Sequence, residues 1–106
     1  MFIAMNQFTV AEGRGPEFEE QWRSRESYLD GFAGFIHFSL LKGDEAGDYV
    51  SHTIWRSRED FLAWTQSEAF RKAHSARSAE GVLVGHPRAR FYDAVVTQPG
   101  AVPSLA

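Results

Sequence analysis

Cysteine is absent from this 106-residue chain. The absence excludes disulfides, a thiolate nucleophile, iron-sulfur clusters and cysteine-ligated zinc. Any metal or cofactor must therefore be held by histidine, by carboxylates or by packing. The chain contains four histidines, so an imidazole ligand is available.

Long apolar runs and an excess of positive charge are also missing. No apolar run approaches the roughly 20 residues of a spanning helix, and the N-terminus lacks the basic and then apolar layout of a secretory signal. We therefore expect a cytoplasmic location and no membrane partner. The formal charge is -3, and without a basic stripe a nucleic-acid partner is not expected either.

Hydrophobic periodicity and turn residues predict the order strand, helix, strand, strand, helix, strand. Proline and acidic residues near Gly15 are typical of a helix start. Ser57 and Asp60 have capping-box spacing, and a second cap at Ser67 predicts a break in the second helical region. The predicted strands cover 1–11, 35–42, 49–55 and 90–97. The first helix runs from 15 to about 30, the second helical region begins at 57, and 78–87 form a loop or a short irregular strand.

This order is typical of an α+β, ferredoxin-like βαββαβ fold with an antiparallel sheet. The domain is expected over residues 1–97, followed by a flexible tail at 98–106. Apolar residues occupy both faces of the predicted strands, as Phe38 and Leu41 illustrate. Two helices cover only one face of a four-stranded sheet, so we expect a second copy of the chain to cover the other. The prediction is a homodimer built sheet against sheet.

Asn6 is the least expected residue of the first strand. Its neighbours on the same strand face are Phe2, Ala4, Phe8 and Val10. Burying an amide without a partner costs roughly 1 to 3 kcal/mol, so Asn6 requires a protein group, a water molecule or a ligand. A hydrogen bond to neighbouring backbone is the simpler interpretation, and a ligand is the more specific one.

The four histidines differ in position. His37 and His52 lie within predicted strands, His86 lies in a loop, and His74 follows Phe70 by four residues on one side of a helix. No pair has the spacing that places two ligands on one helical face, which argues against a dedicated zinc site. A cofactor held by one histidine stays open, as does a structural role for each histidine.

Tryptophan and arginine residues are further candidates for a ligand-binding site. A place in the core explains Trp22 and Trp64 without any ligand. Arg25 lies on the apolar stripe of the first predicted helix, where a cation either extends its head into water or meets an anion at the mouth of a pocket.

Asn6, the run from Trp64 to Phe70 (Trp-Thr-Gln-Ser-Glu-Ala-Phe) and His74, ten positions after Trp64, occur together in this chain. This combination resembles the IsdG-type haem-degrading monooxygenases of the antibiotic biosynthesis monooxygenase superfamily, over residues 1 to about 97. The resemblance implies a dimeric α+β barrel, with haem bound as the substrate. Trp22 is a departure, because many relatives have phenylalanine there.

By the same resemblance, His74 is the proximal ligand of the haem iron, Asn6 is the distal amide, and Trp64 presses on the porphyrin. A neutral imidazole is a common haem ligand, and a donor on the opposite side can hold oxygen. An apolar plate with two carboxylates requires an aromatic cleft with a cation at its rim, for which the candidates are Phe70, Trp22 and Arg25.

The implied reaction opens the porphyrin ring with oxygen and electrons from an external reductase or reductant, and releases iron and a bilin. Three alternatives stay open. The chain could be a cofactor-independent oxygenase of a small aromatic substrate with His74 as a base, a haem-binding or storage dimer without turnover, or a structural barrel in which these residues only pack.

Overall fold

The computed structural model describes residues 1–75 and 81–100. Within them no helix is long and apolar enough to cross a membrane. The predicted loop at 78–87 and tail at 98–106 lie partly outside the described residues, and the domain boundary at 97 stays a prediction. The elements are β1 (Phe2–Thr9), α1 (Gly15–Ser24), β2 (Phe35–Lys42), β3 (Asp48–Trp55), α2 (Arg58–Thr65), α3 (Glu68–Ser75) and β4 (Arg88–Asp93).

The strands form one antiparallel sheet with the order β2-β3-β1-β4. The predicted α+β, ferredoxin-like fold is confirmed, with the second helical region divided into α2 and α3. The buried residues of β1 all lie on the face that carries Phe2, Ala4 and Phe8, which we call the covered face. The opposite face, which carries Ile3 and Met5, is called the open face.

The core of the covered face is divided into two clusters. The β1 residues Phe2 and Ala4 belong to one cluster and Phe8 and Val10 to the other, so Asn6 lies between them. Phe70 of α3 packs on the first cluster and α1 packs on the second. The Trp55 cluster comprises Phe2, Ala4, Leu29, Trp55 and Trp64, and the Phe18 cluster comprises Phe8, Val10, Phe18, Tyr49 and Val82.

Helix α1 ends at Ser24, six residues before the predicted end at Asp30. The Ser24 hydroxyl donates to the Glu20 carbonyl at 2.8 Å, and Arg25 has extended backbone angles (φ -67°, ψ 151°). The predicted apolar stripe still reaches Leu29, which is buried in the Trp55 cluster. An irregular segment therefore delivers Leu29 to the core, and the stripe alone did not show that the helix had ended.

The helix starts at Ser57 and after Ser67 are confirmed. The Asp60 N–H donates to the Ser57 Oγ at 3.2 Å, as expected for an N-cap. At the break between α2 and α3, the Ser67 hydroxyl donates to the Trp64 carbonyl at 2.6 Å and accepts from the Phe70 N–H at 3.0 Å. One serine thus ends α2 and begins α3.

Two strand details differ from the prediction. A bulge between Phe35 and His37 shifts the register of β2, so Phe35 and Phe38 share the covered face although they are three residues apart. Strand β4 spans Arg88–Asp93 instead of 90–97. Its partner β1 begins at Phe2, opposite Asp93, and beyond this pair the Ala94 N–H donates to the Met1 carbonyl at 2.9 Å, so the pairing with β1 stops before Val95.

Gly34 holds the start of β2 close to α2. Its φ is +83°, and a Cβ there would lie 2.2 Å from the Asp60 Cγ. Gly31 also has a positive φ of +77°, but a Cβ there would meet nothing within 4 Å. We expect Gly31→Ala to lower the free energy of unfolding by about 1 kcal/mol through backbone strain alone. Gly34→Ala should lose about 2 to 4 kcal/mol because overpacking adds to the strain.

Urea denaturation of the parent and both variants measures this difference. Equal losses in the two variants would show that Asp60 moves aside and that the Gly34 contact does not hold α2.

Candidate active site

A row of four side chains crosses the middle of the covered face. Asn6 is paired with Ser51 on β3 and with Ala89 on β4, and Ser51 is paired with Leu40 on β2. Residues directly opposite in a sheet project to the same face. Ser51 and Ala89 are small, and Ala89 is exposed, so the row leaves an opening between the two clusters.

The Asn6 amide faces this opening and is only half-buried. In residues 1–75 and 81–100 its side chain has no hydrogen-bond partner. The simpler interpretation, a bond to neighbouring backbone, does not describe this structure. Asn6 is therefore a polar group that a further partner can bind.

The His74 ring is held in one orientation. Its Nδ1 lies 2.9 Å from the Phe70 carbonyl oxygen, and the two rings are in contact at an interplanar angle of 31°, with centroids 3.9 Å apart. A carbonyl oxygen only accepts, so Nδ1 donates to it, and in the neutral ring Nε2 then carries the lone pair. A backbone carbonyl on one ring nitrogen is the usual support for a histidine that binds a metal through the other. The ring is exposed, so its Nε2 is accessible.

Trp64 connects His74 to the core. Its ring meets the Phe70 ring edge-on, with centroids 5.7 Å apart, and Phe70 in turn contacts His74. Trp64 is 6% exposed and is a member of the Trp55 cluster, so it also has a structural role. Ala4 belongs to the same cluster and precedes Asn6 by two residues on the covered face. Trp64, Phe70 and His74 are thus in direct contact, on the same side of the sheet as Asn6.

The other histidines lie elsewhere. His52 is paired with Met5 and His37 with Ile54, which places both on the open face, away from Asn6. The His37 Nε2 lies 2.9 Å from the Ser39 hydroxyl. His86 is exposed in the loop before β4. Of the four histidines, His74 alone projects from the helices that pack on the covered face.

Arg25 lies where the two clusters meet. Its guanidinium carbon is 5.0 Å from the Trp22 ring centroid and 4.7 Å from the Phe38 centroid, and these rings stack on each other at 5.5 Å. Its Nε is buried and has no hydrogen-bond partner in the described part of the chain. Burial lowers the pKa of Arg25, and Asp30 opposes the shift. The cation is therefore partly desolvated and can accept an anionic partner.

Two cavities flank this stack. One, of about 400 Å³, is lined by residues that include Trp22, Arg25 and Phe38. The other, of about 300 Å³, is lined by Trp22, Phe38 and Leu40 among others. Leu40 is the β2 end of the row that contains Asn6, so the second cavity borders the floor of the opening. Neither of these two cavities is lined by Asn6, Trp64 or His74.

Sequence reasoning missed Glu19 and Tyr49, which line the second cavity. The Tyr49 hydroxyl donates to the Glu19 Oε2 at 2.5 Å. Burial and then this hydrogen bond to Glu19 raise the pKa of Tyr49 to about 12. The bond from Tyr49, followed by the charge of Lys42, lowers the pKa of Glu19. The signal available in the sequence was weak, since Glu19 is one of several acidic residues at the start of the first predicted helix.

Comparison with known proteins identifies the family. The model of the antibiotic biosynthesis monooxygenase family matches residues 1–76. A haem-degrading monooxygenase of Shouchella clausii is 31% identical over 101 residues, which cover 92% of this chain and 94% of the relative. A mycobilin-producing haem oxygenase of Mycobacterium tuberculosis is 35% identical over 86 residues, 78% of this chain and 79% of the relative. The chain belongs to the antibiotic biosynthesis monooxygenase family.

Solved structures agree with this placement. The haem degrader MhuD of Mycobacterium tuberculosis, solved with two haems in its active site, has a TM-score of 0.76 and 28% identity, covering 93% of this chain and all of that chain. The predicted relationship to haem-degrading monooxygenases of this family is confirmed. The cofactor-independent oxygenase SnoaB of Streptomyces nogalater shares the fold, with a TM-score of 0.71 at 21% identity and coverage of 93% of this chain and 97% of that chain.

Proposed function

We propose that this family member is a haem-degrading monooxygenase that binds haem as its substrate in the opening between the Trp55 and Phe18 clusters. Oxygen and electrons from an external reductant then open the porphyrin ring, and iron and a bilin are released. The single observation that carries the proposal is the His74 ring, whose Nδ1 is bound to the Phe70 carbonyl and whose Nε2 is free. The reductant and a cytoplasmic location stay predictions.

The residues around the opening fit a haem. The substrate is an apolar plate with an axial metal position and two carboxylates. Phe70 and Trp22 provide aromatic surface, each packed on a different cluster. The unpaired Arg25 Nε is suited to a carboxylate, since a guanidinium binds such a group strongly. His74 would ligate the iron, which is the chemistry that an accessible neutral imidazole provides.

Asn6 has a separate role in this proposal. It projects from the sheet, whereas His74 projects from α3, so the two act on the substrate from different elements. An amide N–H donates a hydrogen bond without losing a proton, so its function does not depend on pH. Asn6 would orient a polar group on the distal side, and Trp64 would press on the plate through its contact with Phe70.

A cofactor-independent oxygenase remains the main alternative, because SnoaB shows that this fold supports such an enzyme. In that case His74 would act as a base. The Nδ1 bond goes to a neutral carbonyl instead of a carboxylate, which favours metal ligation over strong general-base catalysis. A haem-binding dimer without turnover would differ from both enzymes, because its Soret band would not decay when a reductant is added under air.

We also propose that the open face is covered by a second copy of the chain, which would complete the dimeric α+β barrel. Ile3, Val50 and Ile54 lie on this face, with Leu41 and Tyr92 toward its edges. Leu41 is 46% exposed and Tyr92 is 45% exposed. Large apolar side chains on an uncovered sheet face favour association.

Light scattering at micromolar concentration should therefore give about twice the chain mass of 12.0 kDa. Leu41→Asp should shift the population toward monomer because it places a charge in the proposed interface. Leu62→Asp is the matched control, since Leu62 is 45% exposed but lies on α2. A folded parent chain that is monomeric at these concentrations would contradict the proposal.

His74→Ala should remove iron ligation while the fold is retained, because the ring is exposed and contributes little to the core. A titration with ferric haem, monitored through the Soret absorption band, measures iron ligation. Circular dichroism checks the fold. His37→Ala and His86→Ala serve as controls and should bind like the parent. Loss of the Soret shift in a control but not in His74→Ala would assign the iron to another histidine.

Asn6→Ala should still bind haem, because His74 and the aromatic surfaces are unchanged. Turnover should fall on the order of 100-fold, the usual cost of losing one well-placed donor at a developing charge. Decay of the Soret band under air with a reductant, at equal haem occupancy, measures turnover. Decay at the parent rate would reduce Asn6 to a structural residue.

Trp64 requires a milder change than alanine, since truncating a buried tryptophan costs about 3 to 5 kcal/mol of stability. Trp64→Phe keeps an aromatic core residue and reduces its bulk. In the same assay it should bind haem and open the ring more slowly.

A further inference from the structure

Ser51 is a buried polar residue with no assigned role. It is 8% exposed, and in the described part of the chain its hydroxyl has no hydrogen-bond partner. In residues 1–75 and 81–100 the Arg25 Nε is the one fully enclosed polar side-chain atom without a partner, so the Ser51 Oγ keeps some access from outside and can be reached by a small ligand.

The other hydroxyl groups on the covered face of β3 are all paired. The Tyr49 hydroxyl donates to Glu19. The Thr53 hydroxyl donates to the Ala4 carbonyl at 3.2 Å and accepts from the Trp55 Nε1 at 3.0 Å. Ser51 lies between Tyr49 and Thr53 on this face and differs from both. On the covered face of β3, the lack of a partner is therefore confined to the residue that lies in the same row as Asn6.

Ser51 is directly opposite Asn6, the other unpaired polar side chain of the row. Cβ atoms of directly opposite residues are roughly 4.5 to 5.5 Å apart, so both polar groups reach the same small volume. The remaining members of the row, Leu40 and Ala89, offer no hydrogen bond. Ser51 and Asn6 do not bond to each other, so both are available to a third group.

We propose that Ser51 and Asn6 together form a two-point polar site for a small hydrogen-bond acceptor on the distal side of the bound haem. This inference rests on the proposed function and deepens it. Asn6 donates through its amide and Ser51 through its hydroxyl, and two donors favour a small anionic or strongly polar ligand over an apolar one. Ser51 is thus a specificity-determining residue for what binds opposite His74.

Fluoride binding to the ferric haem complex tests the site without turnover, because fluoride is a small, strong hydrogen-bond acceptor. Ser51→Ala should weaken fluoride binding about tenfold, as expected for one hydrogen bond to a charged group. Haem affinity and the melting temperature should stay close to those of the parent. Binding of carbon monoxide to the ferrous complex, which depends less on hydrogen bonding, should change by less than the fluoride affinity.

Ser51→Thr and Ser51→Val form a matched pair, since they have nearly the same shape and only threonine carries a hydroxyl. Tighter fluoride binding by the threonine variant than by the valine variant supports the proposal. Equal fluoride affinity in the parent, Ser51→Ala and Ser51→Val, together with a loss in Asn6→Ala, overturns the role of Ser51 and leaves the proposed function intact. A chain that binds no haem overturns both.

Discussion

The division of the core by one row of small and polar residues is the constraint on which the site depends. Phe2 and Phe8 flank the row along β1 and belong to different clusters. Each cluster has its own helical cover, because Phe18 fixes α1 to one and Trp64 fixes α2 to the other. Between them the row contributes little side-chain volume, and its exposure rises from the buried Ser51 through the half-buried Asn6 to the exposed Ala89. The opening is thus a consequence of how the two clusters pack.

Ser67, between α2 and α3, sets the direction of α3, which forms the second wall of the opening. Its hydroxyl accepts from the Phe70 N–H and donates to the Trp64 carbonyl, so the chain restarts as a new helix instead of continuing in the old direction. A cap of this kind is worth about 0.5 to 2 kcal/mol. The new direction brings the Phe70 ring against Trp64. The Phe70 carbonyl then fixes the ring of His74, which lies one turn later in α3. A local hydrogen bond thus determines which histidine nitrogen is accessible.

The features that the sequence predicted correctly are those with local causes. The covered face of β1 follows from strict alternation, and the starts of α2 and α3 follow from Ser57 and Ser67. The end of α1 has a distant cause, since Arg25 leaves the helix to stack on Phe38, thirteen residues later. The bulge near His37 is likewise visible only in the pairing with β3.

Ser51 illustrates the same limit within the site. Alternation along β3 places Ser51 on the same face as Tyr49 and Trp55, so its face could have been predicted. Its position opposite Asn6 could not, because a register is a relation between two strands and a shift of one residue would reverse every face. Asn6 could be singled out from the sequence because an amide among apolar residues is unusual, whereas a serine in a strand attracts no attention.

Within residues 1–75 and 81–100, the Asn6 amide, the Ser51 hydroxyl and the Arg25 Nε have no hydrogen-bond partner. The Arg25 Nε is enclosed and forfeits its hydrogen bond to water, whereas the Asn6 amide and the Ser51 hydroxyl keep access to solvent. Elsewhere on the covered face of β3 the chain satisfies its hydroxyls, which shows that the fold can pair them. The unpaired groups are instead arranged as two donors on the floor and one cation beside the aromatic rim. Under the proposed function these groups would meet one substrate, the two donors a polar ligand at the haem iron and the Arg25 cation a haem carboxylate.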